Sequence, residues 1–319
     1  EITTRLVGSE MCIRDSPKKE LVPLFGSVLP ITAMRTANSV ITSLVSIILP
    51  LRLVAAGLTN TEALSLFGSA FGMAMPLLFV PSTVLGSFVL VLIPEISENY
   101  YKRDAVSLKA NIEKAVKLSV FTSCLFIPLY LVLGEEIGVL VYHDAQSGVY
   151  LAHSAFLMLF MGISGLSTSV LNSMGLEKKT LLYYIVSALV MLACIWFLPK
   201  FIGVYSLIAG FTVVYGATSV MNLRLINKKS RVKPNYLKFV LLGIAFLIPS
   251  AAVGFLLENL LIDYLGNLLT LIVIGGVMTV FNVLLYAVFG LIDLSVLKKL
   301  PILRKFKKRE KRKASPARR

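Results

Sequence analysis

Charged residues are scarce in this 319-residue sequence. Only 15% of the residues are charged, whereas 56% are hydrophobic and the mean hydropathy is +0.82. Soluble domains usually carry about a quarter charged residues. A chain of this composition cannot keep so apolar a surface in water, which excludes an ordinary soluble domain. The long apolar runs instead predict an all-α fold, a polytopic bundle of helices in a membrane.

The groups that carry most enzyme chemistry are also scarce. There are two histidines and three cysteines, and the cysteines are too scattered for a zinc site or a disulfide framework. The sequence has no phosphate-binding glycine loop, no metal-spaced His/Cys cluster and no serine elbow beside a histidine. We therefore expect no catalytic activity, no cofactor and no bound metal.

Long apolar runs are what the sequence does contain. A spanning helix needs about twenty mostly apolar residues. Eight runs qualify, at approximately 21–57, 62–97, 112–134, 147–174, 180–199, 201–223, 236–257 and 264–292. The first two are longer than one straight crossing needs and are rich in proline, which predicts bends.

The basic residues predict how these spans are oriented. Lys and Arg concentrate on the cytoplasmic side of short loops. With the N-terminal end inside, 29 of the 32 Lys and Arg residues fall on the cytoplasmic side, and both chain ends lie there. Twelve of them lie in the tail 298–319, beside a single acid, Glu310. A basic tail after a hydrophobic span favours anionic membrane lipids as its partner, and we expect no nucleic acid.

The first span carries a polar stripe around Arg35. Ionisable residues inside spans are rare and point to function. In one interpretation the stripe faces a water-filled cavity, and the planar fork of Arg35 binds an anionic ligand group such as phosphate. In the other, Arg35 is held by backbone carbonyls or snorkels to the interface. Arg52, near the external end, is either a second ligand or an interface anchor. The stripe residues recur every three or four positions: Thr32, Arg35, Asn38, Thr42 and Ser46.

Other polar residues inside the spans leave two interpretations open. Asn172, Asn222 and the group Thr279, Asn282 and Tyr286 either line a path or form hydrogen bonds across helices. No span contains a clearly central Asp or Glu. We therefore expect no proton or sodium relay in these spans.

Three stretches resemble a known transporter family. They are Leu29-Pro30-Ile31-Thr32 with Pro50-Leu51-Arg52-Leu53, then Phe79-Val80-Pro81-Ser82 with Leu92-Ile93-Pro94-Glu95, and then Val170-Leu171-Asn172-Ser173-Met174-Gly175 with Gly203-Val204-Tyr205-Ser206. In these the chain resembles the multidrug/oligosaccharidyl-lipid/polysaccharide exporter superfamily, in its branch of stage V sporulation protein B and polysaccharide biosynthesis proteins. The resemblance covers about residues 20–295 and implies helices seven to fourteen of a two-lobed, fourteen-helix fold.

The resemblance also implies a division of the chain. Residues 17–225 would form the C-terminal six-helix lobe, 226–297 a terminal helix pair, and 298–319 a basic cytoplasmic tail. The first lobe would be absent from this chain. Residues 1–16 match nothing around them and resemble translated adapter sequence, so we expect them to be non-native.

The activity implied by the resemblance is transport. A lipid-linked, diphosphate-bearing oligosaccharide or peptidoglycan precursor would be flipped across the bacterial cytoplasmic membrane by alternating access. Arg35 would pair with the diphosphate, and the first lobe would be the partner of this half. One alternative is a multidrug or cation antiporter of the same superfamily. Alternatives of other classes are a membrane-embedded glycosyltransferase or ligase, and a structural membrane protein.

Overall fold

The computed structural model describes residues 17–261 and 267–288, and these residues form helices joined by short connections, with no strand among them. This confirms the predicted all-α class. The predictions for residues 1–16 and for the tail 298–319 lie outside the described residues.

The helices of the described residues include several that are unusually long. A π-helical segment, Gly68–Ala74, follows the helix Asn60–Phe67, and a short 3₁₀ turn, Gly203–Tyr205, precedes the helix Ser206–Ser230. In chain order the α-helices are α1 (Pro17–Ala55), α2 (Asn60–Phe67), α3 (Met75–Tyr101), α4 (Ala105–Tyr142), α5 (Ala145–Ser154), α6 (Leu157–Ser173), α7 (Glu177–Phe197), α8 (Pro199–Ile202), α9 (Ser206–Ser230), α10 (Tyr236–Leu261) and α11 (Asn267–Val288).

Seven helical segments of the described residues are long and apolar enough to cross a membrane. They are Val28–Ala55, Asn60–Tyr101, Ala105–Tyr142, Glu177–Phe197, Pro199–Ser230, Tyr236–Leu260 and Leu268–Val288. The pair α5 and α6 is an eighth if it counts as one span, since its helices meet at 58°. That pair corresponds to the predicted span 147–174, so the eight predicted spans all have a helical counterpart. The chain is a multi-pass membrane protein.

The exposed surface of these helices agrees with a lipid environment. Large apolar side chains lie mostly uncovered along the spans, for example Val91 at 73% exposed and Ile248 at 73%. Soluble monomers rarely expose contiguous apolar patches of this kind. Lipid chains cover such side chains at no cost, so these helices need not bury every apolar face against one another.

Local sequence signals determine where several helices begin and end. The Thr59 hydroxyl accepts from the backbone N–H of Glu62 at 3.3 Å, and the Glu62 carboxylate accepts from the backbone N–H of Thr59 at 2.9 Å. This capping box satisfies donors that the first turn of α2 leaves unpaired. Asp144 caps α5 in a similar way, accepting from Ser147 N–H at 3.1 Å. Gly175, with φ +73°, follows α6.

The described residues divide into two compact units. The first contains residues 17–72, 86–111 and 163–234. Within it α7 packs against both α1 and α9. Its core includes fully buried side chains such as Leu49, Leu171 and Ile195.

The second unit contains residues 73–85, 112–162, 235–261 and 267–288. Within it α10 packs against α11. The buried ring of Tyr286 lies edge-on to Phe121 and Phe246, with ring centroids 4.9 and 5.3 Å away. The Asn282 side-chain amide donates to the Ser250 hydroxyl at 2.7 Å, which joins the two helices by a buried polar contact.

Candidate functional site

The predicted polar stripe lies on α1. Arg35, Asn38 and Thr42 are exposed and Ser46 is half-buried. Residues three and four apart share one helix face, so all four lie on the same side of α1. The structure therefore presents the stripe at the surface of the first unit and does not bury it in a core.

The hydroxyl groups of the stripe donate to their own helix. Thr42 Oγ1 donates to the carbonyl of Asn38 at 2.8 Å, and Ser46 Oγ donates to the carbonyl of Thr42 at 3.0 Å. Ser39 and Ser43 form the same bond one turn back, at 3.3 and 3.0 Å. Such bonds satisfy the donors locally. These hydroxyl groups can therefore offer only their oxygen lone pairs to a ligand or to water, and Arg35 supplies the positive charge of the stripe.

Arg35 has no hydrogen-bond or ion-pair partner among residues 17–261 and 267–288. It lies fourteen residues after position 21, where the predicted first span begins, which is about 20 Å along the helix axis. A bare guanidinium at that depth is costly in lipid and requires water, a counter-ion or an anionic ligand. No backbone carbonyl of the described residues accepts a hydrogen bond from Arg35. The ligand role and the structural alternatives, which include snorkelling, stay predictions.

Asn38 connects the stripe to α7. The Tyr184 hydroxyl donates to the Asn38 side-chain carbonyl at 2.8 Å. This bond fixes the amide of Asn38 and leaves its NH₂ group available as a donor. Our sequence reasoning missed Tyr184. Its signal was a tyrosine pair, Tyr183-Tyr184, inside an otherwise apolar span.

Arg52 is held at the end of α7. Its Nε donates to the carbonyl of Trp196 at 2.8 Å, and its guanidinium carbon lies 4.8 Å from the centroid of the Trp196 ring. The last carbonyls of a helix lack partners within the helix, and a cation satisfies them well. These contacts anchor Arg52 to α7, and its two terminal nitrogens have no hydrogen-bond partner among the described residues. The interface-anchor role and the ligand role of Arg52 both stay predictions.

Replacing Arg52 with alanine should destabilise the first unit. The change removes a charge-assisted hydrogen bond and a cation–π contact, together worth about 1–2 kcal/mol. Trp196 is the single tryptophan of the chain, so its fluorescence on heating in detergent reports directly on this contact. Lys200→Ala, at an exposed position of the short helix α8, is the control. Equal unfolding temperatures in both variants would contradict the anchoring role.

Three of the other polar residues singled out in the spans, Asn172, Asn222 and Asn282, bond across helices, whereas Thr279 donates to the carbonyl of Gly275 in its own helix at 2.7 Å. Asn222 is fully buried, and its amide donates to the hydroxyls of Ser167 at 3.3 Å and Thr168 at 3.0 Å. The side-chain carbonyl of Asn172 accepts from Thr180 at 2.8 Å. These contacts, like that of Asn282 with Ser250, favour a role in helix association over one in lining a path.

Comparison with known proteins gives one distant relative. The chain is 23% identical over 240 residues to "Stage V sporulation protein B" of Bacillus subtilis (strain 168). The matched region is 73% of this chain and 46% of the relative, so the chain spans about half the length of the curated relative it matches. Neither a protein-family profile nor a solved structure matches the chain. The similarity is to a protein named for sporulation, and the superfamily and branch that the sequence motifs resemble stay predictions.

Proposed function

We propose that the chain is part of a transporter that flips a lipid-linked, diphosphate-bearing glycan precursor across the bacterial cytoplasmic membrane. The observation that carries the proposal is Arg35, an exposed guanidinium on a polar stripe inside an apolar span, without a partner among the described residues. The distant similarity to Stage V sporulation protein B and the multi-span fold support it. The cargo would be an oligosaccharide or peptidoglycan intermediate.

Arg35 supplies the anion-binding chemistry in this mechanism. Its planar fork donates two parallel hydrogen bonds to a phosphate group, which a point charge cannot do. The amide of Asn38 and the hydroxyl oxygens of Thr42 and Ser46 then bind polar groups of the sugar along the same face. The lipid tail stays in the bilayer, where the terminal helix pair within 226–297 offers it a groove.

Movement across the membrane follows from alternating access. The six-helix lobe within 17–225 rocks against a first lobe, and the site opens first to one side and then to the other. The first lobe is the partner that this mechanism needs.

We also propose that both chain ends are cytoplasmic. Cysteines placed singly at Lys200 and Lys178, both exposed, test this in a background whose native cysteines are replaced by alanine. Lys200→Cys should react with a membrane-impermeant maleimide in intact cells, whereas Lys178→Cys should react only after lysis. The reverse pattern would invert the topology and place most of the basic residues outside.

The transport proposal is tested by reconstitution. The complete product of the gene is placed in liposomes, and translocation of a fluorescent polyprenyl-diphosphate sugar is measured against protein-free liposomes. We expect the protein to move the lipid to the opposite leaflet. If it moves none and instead exports organic cations, the antiporter alternative replaces the flippase. If it transfers the sugar to another molecule, the glycosyltransferase alternative replaces the flippase.

A further inference from the structure

A basic pocket lies in the first unit, away from the polar stripe of α1. Its volume is about 330 Å³. It lies between the beginning of α7 and the end of α9, and none of the candidate site residues of α1 lines it. Two residues of α7 and five of α9 form its walls: Lys179 and Tyr183, and Met221, Arg224, Leu225, Lys228 and Lys229.

Helical spacing brings these side chains together. Lys179 and Tyr183 are four residues apart and lie on one face of α7. Met221, Leu225 and Lys228 follow steps of four and three along α9, so they form one face as well. Because α7 and α9 pack against each other, the two faces meet and place four cations around one concavity.

No carboxylate of the residues that the structure describes neutralises the four cations. Lys179, Arg224, Lys228 and Lys229 are all exposed, and none forms an ion pair or a hydrogen bond within the described part of the chain. Like charges gathered in a concave site produce a strong positive potential and raise the local concentration of anions. The chemistry that fits four such donors is a phosphate group.

The pocket lies near the ends of both helices, and with those ends at the membrane surface its depth matches the headgroup layer. Lys179 lies two residues from the start of α7 and Lys228 two residues from the end of α9, which is about 3 Å from each helix end. Tyr183 and Arg224 lie about 9 Å from the same ends. The polar zone on each side of a bilayer is about 5–8 Å thick. The pocket therefore spans the level at which lipid phosphates lie.

Apolar surface adjoins the cations. Met221 and Leu225 supply apolar lining to the pocket itself. Leu182, beside Tyr183, is 57% exposed, and Val220, beside Met221, is 48% exposed. A free phosphate ion would leave this apolar surface uncovered, whereas the acyl chains of a lipid cover it.

We propose that this pocket binds the phosphate of an anionic phospholipid headgroup. The cations of α7 and α9 hold the phosphate, and the acyl chains lie along the exposed apolar residues below it. The bound lipid links the beginning of α7 to the end of α9. This site is separate from the transport site, so lipid binding is measurable without any transport assay.

The test uses the purified chain in detergent, titrated with water-soluble dioctanoyl-phosphatidylglycerol. The pocket variant is the triple replacement Lys179→Gln, Arg224→Gln and Lys228→Gln. The matched control removes three exposed charges elsewhere: Lys114→Gln, Lys178→Gln and Lys238→Gln. Each basic residue near a membrane surface contributes measurably to anion binding, so the pocket variant should bind at least about tenfold more weakly. The control should bind within about twofold of the wild type, since its charges lie outside the pocket.

Single replacements at neighbouring positions guard against misfolding of the triple variant. Lys179→Gln should weaken binding, whereas Lys178→Gln, one residue earlier on the same helix, should not. Equal weakening by both triples, or no binding by the wild type, would overturn the proposal. Displacement of the lipid by inorganic phosphate at the same concentration would show a free-anion site instead. Equally tight binding of dioctanoyl-phosphatidylcholine would rule out selection for an anionic headgroup.

Discussion

Replacing Gly138 with alanine is expected to destabilise the second unit by about 3 kcal/mol, because a methyl group there has no space. A Cβ at Gly138 would collide with the backbone nitrogen of Gly148 and lie 2.7 Å from its Cα. It would also lie 2.8 Å from the carbonyl oxygen of Asp144. These are backbone atoms that cannot rotate away. The thermal midpoint in detergent, followed by circular dichroism, should fall by at least about 5 °C.

The reason is a close crossing of α4 and α5. Gly134 and Gly138 are four residues apart on α4, and Gly148 and Ala152 are four apart on α5. Small residues at this spacing let two helix backbones approach closely. A Cβ at Gly134 would lie 2.9 Å from the carbonyl oxygen of Gly148, so the contact extends over a full turn.

Gly276 provides the control for this prediction. It lies in α11 of the same unit, and a Cβ there would have no atom within 4 Å. Gly276→Ala should leave stability unchanged or raise it by about 0.5–1 kcal/mol, since alanine favours the helix. If both variants unfold at the wild-type temperature, the close crossing of α4 and α5 is not as described.

The second large effect is expected at Arg35. In the complete protein, Arg35→Ala should reduce translocation of a polyprenyl-diphosphate sugar by at least about tenfold, because a charge-assisted bidentate contact is lost. The translocation rate of Arg35→Lys should fall between those of the wild type and Arg35→Ala, because an ammonium group keeps the charge but cannot form the bidentate contact. The measurement is the initial rate in liposomes that contain equal amounts of folded protein.

Lys114→Ala is the matched control for Arg35. Lys114 is an exposed cation of α4 outside the stripe, and it has no partner among the described residues. Its variant should transport at the wild-type rate. If Arg35→Ala also transports at that rate, the glycan lipid does not depend on the guanidinium and Arg35 is a snorkelling residue.

The sequence was enough to predict the spans, because each span is a run of about twenty mostly apolar residues, which composition alone reveals. Eight apolar runs correspond to the helices of the described residues. The ends were partly predicted: α4 begins at Ala105, ahead of the predicted span 112–134, and its backbone is non-helical at Leu133 (φ −99°, ψ 16°), where that span was predicted to end. Polar turns at the start of a helix do not raise hydropathy, so a hydropathy pattern alone begins after them. The break between α5 and α6 contains no proline, so the sequence pattern did not predict a bend there.

The site was only partly predictable. The stripe of Arg35, Asn38, Thr42 and Ser46 follows from spacing on one helix, which sequence reveals directly. The partners Tyr184 and Trp196 lie 146 and 144 residues away from Asn38 and Arg52, and only tertiary packing brings them close. The basic pocket of α7 and α9 was not predicted for the same reason. Its cations were counted as loop charges that orient the spans, and their convergence depends on how two helices meet.

The central claim is that the polar face of α1 lines water and not lipid, and thiol accessibility tests it most directly. Thr42 and Val40 are both exposed, lie at nearly the same depth and point to roughly opposite sides of α1. In the complete protein, with native cysteines replaced, a charged thiol reagent reacts only with a hydrated thiolate. We predict that Thr42→Cys reacts at least about tenfold faster than Val40→Cys, because thiolates do not form in hydrocarbon. Equal rates, or no reaction at position 42, would contradict an aqueous path along this face.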